Sequence, residues 1–395
     1  MRGHISPTVA TMKRKILLMG KSGSGKTSMR SFIFSSYRPE DTKRLGSTIE
    51  VEHSHVRFPG SLVLNLWDCG GQKSYMESYM DTQRTQVFSA VGVLIYVVDL
   101  VNTDDEGGDT HEWEADLRYF RDCLSALQSN SPGAEVFCLL HKMDLIEPSR
   151  RRDIYRSRVA DLRRKTREVL AAHASSPNAS DHVRLHCFAT SIWDATLYRV
   201  RCFSLTQAWS SIIHTLVPDV ERLEAHLALL AHTCSASEVV LFEKATFLVM
   251  SYYSQMNAET TTPRSLLASD RVTLDAGQDT DDVLLEGLST SMLPDAARRT
   301  PDPLSGDRFE RISELVKHFK ISCLASHHQI QALELRTPAF AAYLDVLTSS
   351  TYILVITTDP AIRTSCSSHP EISAVKRNVE LSRAHFEQLQ ASHAG

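Results

Sequence analysis

The chain has 395 residues, 42% hydrophobic and 23% charged, with a formal net charge of −4. That length predicts two domains, each with enough chain to bury a core, and the mild acidity argues against a nucleic-acid partner, which usually demands a basic domain. Eight cysteines with no C-x-x-C pair fit reduced thiols rather than a disulfide framework or a zinc site.

Residues 1–14 read as a flexible N-terminus. The apolar run Ile16-Leu17-Leu18-Met19 then leads into Gly20-Lys21-Ser22-Gly23-Ser24-Gly25-Lys26-Thr27, the pattern G-x-x-x-x-G-K-[ST]. Glycines let the backbone turn its N–H groups inward as a nest for phosphate oxygens. The helix predicted over 27–35 aims its positive dipole end at the same anion. Lys26 can reach the β- and γ-phosphates, and the Thr27 hydroxyl can ligate Mg²⁺. Lys21, Ser22, Gly23, Ser24, Gly25 and Ser28 complete the phosphate-binding candidates.

Thr42 and Gly46-Ser47-Thr48-Ile49 lie in a polar stretch that follows. Thr48 is the candidate for a hydroxyl that meets Mg²⁺ when a γ-phosphate is present; neighbouring Ser47 is its competitor, and Thr42 is a further nucleotide-binding candidate. The run 61–67 reads as a strand closing in Asp68-Cys69-Gly70-Gly71-Gln72. An acidic residue there suits Mg²⁺ held through water. Gly71 can offer a backbone N–H to the γ-phosphate, so that nucleotide state moves the loop. Gln72 can orient an attacking water.

Two continuous apolar runs, 91–98 and 136–140, read as strands covered on both faces. The second opens into His141-Lys142-Met143-Asp144. A carboxylate at Asp144 can accept the N1–H and N2–H₂ of guanine together, whereas adenine would leave it unpaired. The Lys142 stem can lie along the base plane. The strand predicted over 183–188 runs into Ala189-Thr190-Ser191-Ile192, where the backbone at Ser191 and Ile192 can contact the guanine O6.

The C-terminal half predicts a helix from about 219, a hairpin of 239–242 and 245–250, an amphipathic helix over 308–326, strands over 330–335, 340–347 and 352–357, and a last helix over 372–389. That order is an α+β layer with one sheet. Three segments look inserted: an acidic turn at 104–109, residues 200–207, which either lengthen or break a helix over 197–213, and 257–307. The last is rich in Ser, Thr, Asp and Pro and reads as disordered. The arginine-rich stretch 150–167 reads as a solvated helix face.

The first ~220 residues resemble a Ras-type small GTPase domain, and specifically the A/B-type subunit of the Rag/Gtr family. The resemblance rests on residues 17–31, 51–58, 64–72 and 141–145, with His141 standing where the general small-GTPase pattern has Asn. It implies a P-loop Ras-like domain over 15–218 and a roadblock/longin-like dimerisation domain over 219–395. It implies GTP/GDP and Mg²⁺ as ligands, slow partner-stimulated GTP hydrolysis, and a heterodimer with a C/D-type subunit. It further implies a scaffold complex on the cytosolic face of the vacuole or lysosome, recruitment of the target-of-rapamycin kinase complex on amino-acid sufficiency, and an activating protein that supplies an arginine. No run reaches the ~18 apolar residues of a membrane span, position 2 is not Gly, and the last residues carry no prenylation Cys. Membrane residence is therefore expected through partners, without direct insertion. Two readings compete: a nucleotide-locked scaffold without turnover, and an ATP-using P-loop enzyme, which Asp144 argues against.

Overall fold

The alternation of apolar side chains decides how the first sheet is covered. Ile16, Leu18, Val93, Ile95, Val97, Phe137 and Leu139 belong to one buried cluster. Their strand neighbours Leu17, Met19, Leu94, Tyr96, Val98, Cys138 and Leu140 belong to another. With a side-chain period of two, both faces of these strands are therefore buried, as the continuous apolar runs predict. The computed structural model describes residues 12–35, 37, 39–49, 51–57, 62–101, 110–173, 182–193, 205–217, 220–255, 270–273, 332–337, 340–359 and 370–392.

The first sheet uses β1 (Met12–Met19), β2 (Val51–Arg57), β3 (Leu62–Cys69), β4 (Val91–Asp99), β5 (Glu135–His141), β6 (His182–Thr190) and β9 (Asp270–Thr273), in the order β2-β3-β1-β4-β5-β6-β9. The strands β3, β1, β4, β5 and β6 run parallel, and β2 and β9 are antiparallel edges. One face carries α3 (Lys73–Asp81), α4 (Arg84–Phe88), α5 (Thr110–Asn130) and α6 (Arg151–His173). The other carries α1 (Lys26–Phe34) and α7 (Leu205–Leu216). A short helix, α2 (Pro39–Thr42), packs on α1.

The second sheet is antiparallel, in the order β10-β11-β12-β7-β8. Its strands are β7 (Glu238–Glu243), β8 (Val249–Ser254), β10 (Ala332–Arg336), β11 (Ala341–Thr348) and β12 (Thr351–Thr357). Helices α8 (Val220–Thr233) and α9 (Pro370–Ser392) pack against it. The two sheets share one core: a single cluster runs from Ile16 through Trp209 to Phe386. Trp209 of α7 is fully buried and meets Phe34 edge-on at 5.0 Å, while Ser210 Oγ accepts the Val249 N–H at 3.2 Å.

Five expectations change. The second hairpin strand begins at Val249 instead of 245, because Glu243 organises a turn there. Its carboxylate accepts the N–H groups of Ala245 (2.7 Å) and Thr246 (2.6 Å) and the Thr246 hydroxyl, and Phe247 takes φ 58°. The segment 257–307, read as disordered throughout, contains β9, which pairs with β6 at the edge of the first sheet. An edge strand open to pairing supplies ladder hydrogen bonds that composition does not reveal. Arg158 is not on a solvated face: it is 6% exposed and its guanidinium lies 4.6 Å over the Trp113 ring. Residues 12–14, read as part of a flexible N-terminus, open β1 and pair with Leu62, Val63 and Leu64 of β3, because ladder hydrogen bonds hold them whatever their composition. Thr42 is buried in α2, where its hydroxyl donates to the Pro39 carbonyl at 2.6 Å. The turn 104–109, residues 197–204 and the helix expected over 308–326 lie outside the described residues.

Candidate functional site

The carboxyl ends of β1, β3, β4, β5 and β6 lie along one edge of the sheet, and neighbouring connections diverge around β1, the position where open α/β sheets bind ligands. β1 ends at Met19, and the chain turns at Gly20 with φ 138°. A Cβ there would come 2.3 Å from the Val97 carbonyl oxygen, so only glycine passes this close to β4. Gly23 (φ 80°) and Gly25 (φ 93°) are left-handed, and Gly25 caps α1. Ser22 and Gly23 are exposed and Ser24 is buried.

Lys26 folds back inside this loop. Its ammonium donates to the carbonyls of Gly20 (2.7 Å) and Lys21 (2.8 Å), and burial lowers its pKa to about 8. The Lys21 side chain points away from the loop interior and pairs with Glu112 of α5. Ser28 follows on α1, half-buried.

Beside the loop, the Thr27 and Thr48 hydroxyls meet at 2.5 Å. Thr48 is buried, although its segment has no regular structure. Asp68, at the end of β3, is 0% exposed; the Thr27 hydroxyl lies beside its carboxylate, but no well-aligned hydrogen bond reaches either oxygen. Burial raises its pKa, opposed chiefly by the charge of Arg30, whose Nε stands 3.3 Å away. One unaligned ion pair leaves most of the lone pairs of this buried carboxylate unused, which is costly unless a further cation takes them. One carboxylate and two hydroxyls form an all-oxygen set too small to hold a cation alone. No group of three His, Cys, Asp or Glu side chains that could do so occurs among the described residues. This donor set fits a hard divalent ion whose shell is completed by phosphate oxygens and water.

The next loop rests on the P-loop. Gly71 accepts the Ser22 N–H at 2.9 Å, and a Cβ on Gly71 would lie 2.4 Å from Lys21 C and Ser22 N. Gln72 caps α3 from an extended conformation, and its Oε1 is buried without a hydrogen-bond partner.

At the other end of the site, Lys142 takes φ 64° and starts the 3₁₀ turn Met143–Leu145 that carries Asp144. The Asp144 carbonyl accepts from Arg151. The Lys142 ammonium pairs with Asp99 at 2.6 Å. His141 is buried and shares a 3.1 Å hydrogen bond with Thr190. A Cβ on Gly25 would come within 2.8 Å of its ring, so the P-loop packs directly on this histidine. Burial, reinforced by the charge of Lys142, lowers the His141 pKa to about 3, which keeps the ring neutral. Ser191 spends its hydroxyl on the Trp193 N–H at 2.9 Å, and Ile192 packs on the core.

Thr27, Thr48 and Asp68 thus converge beside Lys26, while His141 links the P-loop to the end of β6. Thr42 and Ser191 find local partners, and the Lys21 side chain pairs with Glu112, 91 residues further along the chain. Asp99, Thr190 and Arg30 were not singled out for the site by sequence reasoning. Asp99 gave one usable signal: a carboxylate closing the strand next to the P-loop.

A mostly parallel sheet with antiparallel edges, covered by helices on both faces and with these loops gathered at its carboxyl edge, is the small-GTPase fold. The chain belongs to the Gtr1/RagA family: the family model described as the Gtr1/RagA G protein conserved region matches residues 15–316. Ras-related GTP-binding protein A of Dictyostelium discoideum is 41% identical over 378 residues, 96% of this chain and 98% of that protein. GTP-binding protein gtr1 of Schizosaccharomyces pombe is 40% identical over 379 residues, 96% of this chain and 99% of its own. GTP-binding protein gtr2 of the same yeast is 25% identical over 230 residues, 58% of this chain and 64% of its own. Among the described residues, no helix is long and apolar enough to cross a membrane.

Proposed function

We propose that this chain is a guanine-nucleotide switch that hydrolyses GTP slowly until a partner completes the site. The observation that carries the reading is the convergence of a phosphate nest, a buried carboxylate held only by an unaligned ion pair beside two hydroxyls, and an Asp144-bearing turn along one sheet edge. Lys26 and the backbone of 22–25 hold the phosphates, and Thr27, Thr48 and, through water, Asp68 hold Mg²⁺. Gly71 senses the γ-phosphate, Gln72 orients the attacking water, and Asp144 reads guanine. When bound, Mg²⁺ neutralises charge that develops on the phosphates. His141 and Lys142 support the base loop through Thr190 and Asp99.

We assign the chain to the A/B-type half of a Rag-like heterodimer. Relatives named for the A-type and gtr1 proteins match 96% of the chain at 40–41% identity, against 58% at 25% for gtr2. Its partner is a C/D-type subunit, paired through a roadblock/longin-like domain over 219–395. The dimer relays amino-acid sufficiency to the target-of-rapamycin kinase complex from the cytosolic face of the vacuole or lysosome, held by a scaffold complex. An activating protein supplies an arginine to end the signal.

The test is to express the chain with a C/D-type partner, denature the purified complex and identify the released nucleotide by chromatography. GDP or GTP near one per chain supports the reading, and adenine nucleotide overturns the role of Asp144. Thr27→Asn and Gln72→Leu should then change partner binding in opposite directions. If the Gln72→Leu complex turns over GTP no differently and neither variant changes partner binding, the nucleotide-locked scaffold replaces the switch.

A further inference from the structure

Glu52 on β2 and Asp68 on β3 are directly opposite in the antiparallel ladder. Like charges in that position repel, and one side chain lies against both. Arg30 leaves α1 one turn beyond Thr27. Its Nη2 donates to Glu52 Oε2 at 2.5 Å and its Nη1 to Ser54 Oγ at 3.1 Å, while its Nε stands 3.3 Å from Asp68 Oδ2. The contact with Asp68 is an ion pair without hydrogen-bond alignment, since no well-aligned hydrogen bond reaches either Asp68 oxygen. The guanidinium is therefore aimed by β2 and lends only part of its charge to Asp68. Its fork geometry is what allows one cation to serve three acceptors on two strands.

We propose that Arg30 is a positioning residue that sets the affinity of the site for Mg²⁺ by competing for Asp68, with Glu52 holding it back. This rests on the reading of the site as a magnesium and guanine-nucleotide pocket. A fixed positive charge beside Asp68 opposes a divalent cation that uses the same carboxylate. When β2 holds the guanidinium firmly, Asp68 is available to the metal. When β2 shifts, the guanidinium turns to Asp68 and the metal is weakened. Because β2 follows the segment that carries Thr48, metal affinity and the placement of that segment are tied through one side chain.

The two acidic partners give variants of opposite sign. The full-length chain is loaded with a fluorescent GDP analogue, and its release rate is followed as free Mg²⁺ is titrated from chelator excess upward. Arg30→Met should lower the Mg²⁺ midpoint for slow release by about threefold or more, the scale of one charge close to a partly solvated metal. Glu52→Gln, which frees the guanidinium, should raise the midpoint by a similar factor. Charge acting through space would leave the two effects additive, whereas competition through the guanidinium makes Glu52→Gln nearly silent once Arg30→Met is present; additivity in the double variant, or shifts of the same sign, overturns the inference while the pocket reading stands. Failure of the parent chain to hold the analogue at any Mg²⁺ concentration overturns the pocket reading and the inference with it.

Discussion

The Gly71 carbonyl accepts the Ser22 N–H at 2.9 Å, so the loop that leaves β3 lies directly on the phosphate-binding turn. No side chain makes this contact. It exists because Gly71 has no Cβ: one added there would lie 2.4 Å from Lys21 C and Ser22 N and 2.5 Å from Gly20 O, all of them backbone atoms that cannot swing aside.

Gly71→Ala should therefore force the two loops apart. Overpacking against rigid backbone costs about 1–3 kcal/mol, and urea unfolding of the purified chain should show a loss of that size. Amide exchange at Ser22 should rise at the same time. An unchanged unfolding midpoint would mean that the loop does not rest on the P-loop in solution.

Gln72→Leu removes the amide whose Oε1 is buried and unpartnered beside the P-loop. If that amide positions water, single-turnover GTP hydrolysis should fall on the order of 10²-fold, the usual cost of a misplaced reactant. Stability should hold or rise slightly, since a buried polar atom without a partner is lost. Wild-type turnover in this variant would remove Gln72 from the chemistry.

Much of the site is local in sequence and so was legible before folding. Gly20 to Thr27, the strand-end Asp68 and the strand-end His141 to Asp144 are contiguous segments whose spacing alone fixes their chemistry. The contacts that tune them are not local. His141 meets Thr190 across 49 residues, Lys142 meets Asp99 across 43, and Arg30 reaches Glu52 and Asp68 from another element. The same division holds for the fold. Uninterrupted runs such as Val91–Asp99 announced buried strands. The turn organised by Glu243 displaced a strand whose composition was otherwise persuasive, and β9 was hidden because its pairing partner, β6, lies some 85 residues earlier in the chain, as the Leu185–Asp270 register shows.

His141 and Asp116, a buried carboxylate of α5 that accepts from the Tyr96 hydroxyl at 2.7 Å, give the stability of the protein two opposing pH dependences. The His141 pKa falls from 6.5 to about 3 on folding, by burial first and the Lys142 charge second. The unfolded chain therefore binds the proton first, and stability is lost as pH drops below 6.5, by about 2 kcal/mol at pH 5. The Asp116 pKa rises from 3.8 to about 6, by burial, so the folded chain binds that proton first and stability is gained between pH 6 and 3.8. These two contributions oppose each other between pH 6 and 5. His141→Gln should become more stable on acidification over that interval, and Asp116→Asn should become less stable. Urea midpoints at pH 7.5, 6 and 5 decide it; parallel curves for the three proteins would sink both assignments.

The strand Asp270–Thr273 ties a segment between β8 and β10 of the second sheet to the outer edge of the first. Its partner β6 runs on to Thr190, the residue that holds His141 under the P-loop. Edge pairing protects ladder amides only while the added strand is in place. Proline at 272 removes a donor and fixes φ where β9 is extended, so Val272→Pro should release the strand. Amide exchange at 182–185 should then quicken by roughly fivefold, the factor that matches a loss of about 1 kcal/mol. Exchange within β1 and α1, on the far side of β4 and β5, should stay as it was. If β9 pairs elsewhere in solution, the amides at 182–185 will exchange at the parental rate in the variant. If the strand also steadies the loop after β6, release of a fluorescent GDP analogue will quicken in parallel with exchange at Thr190.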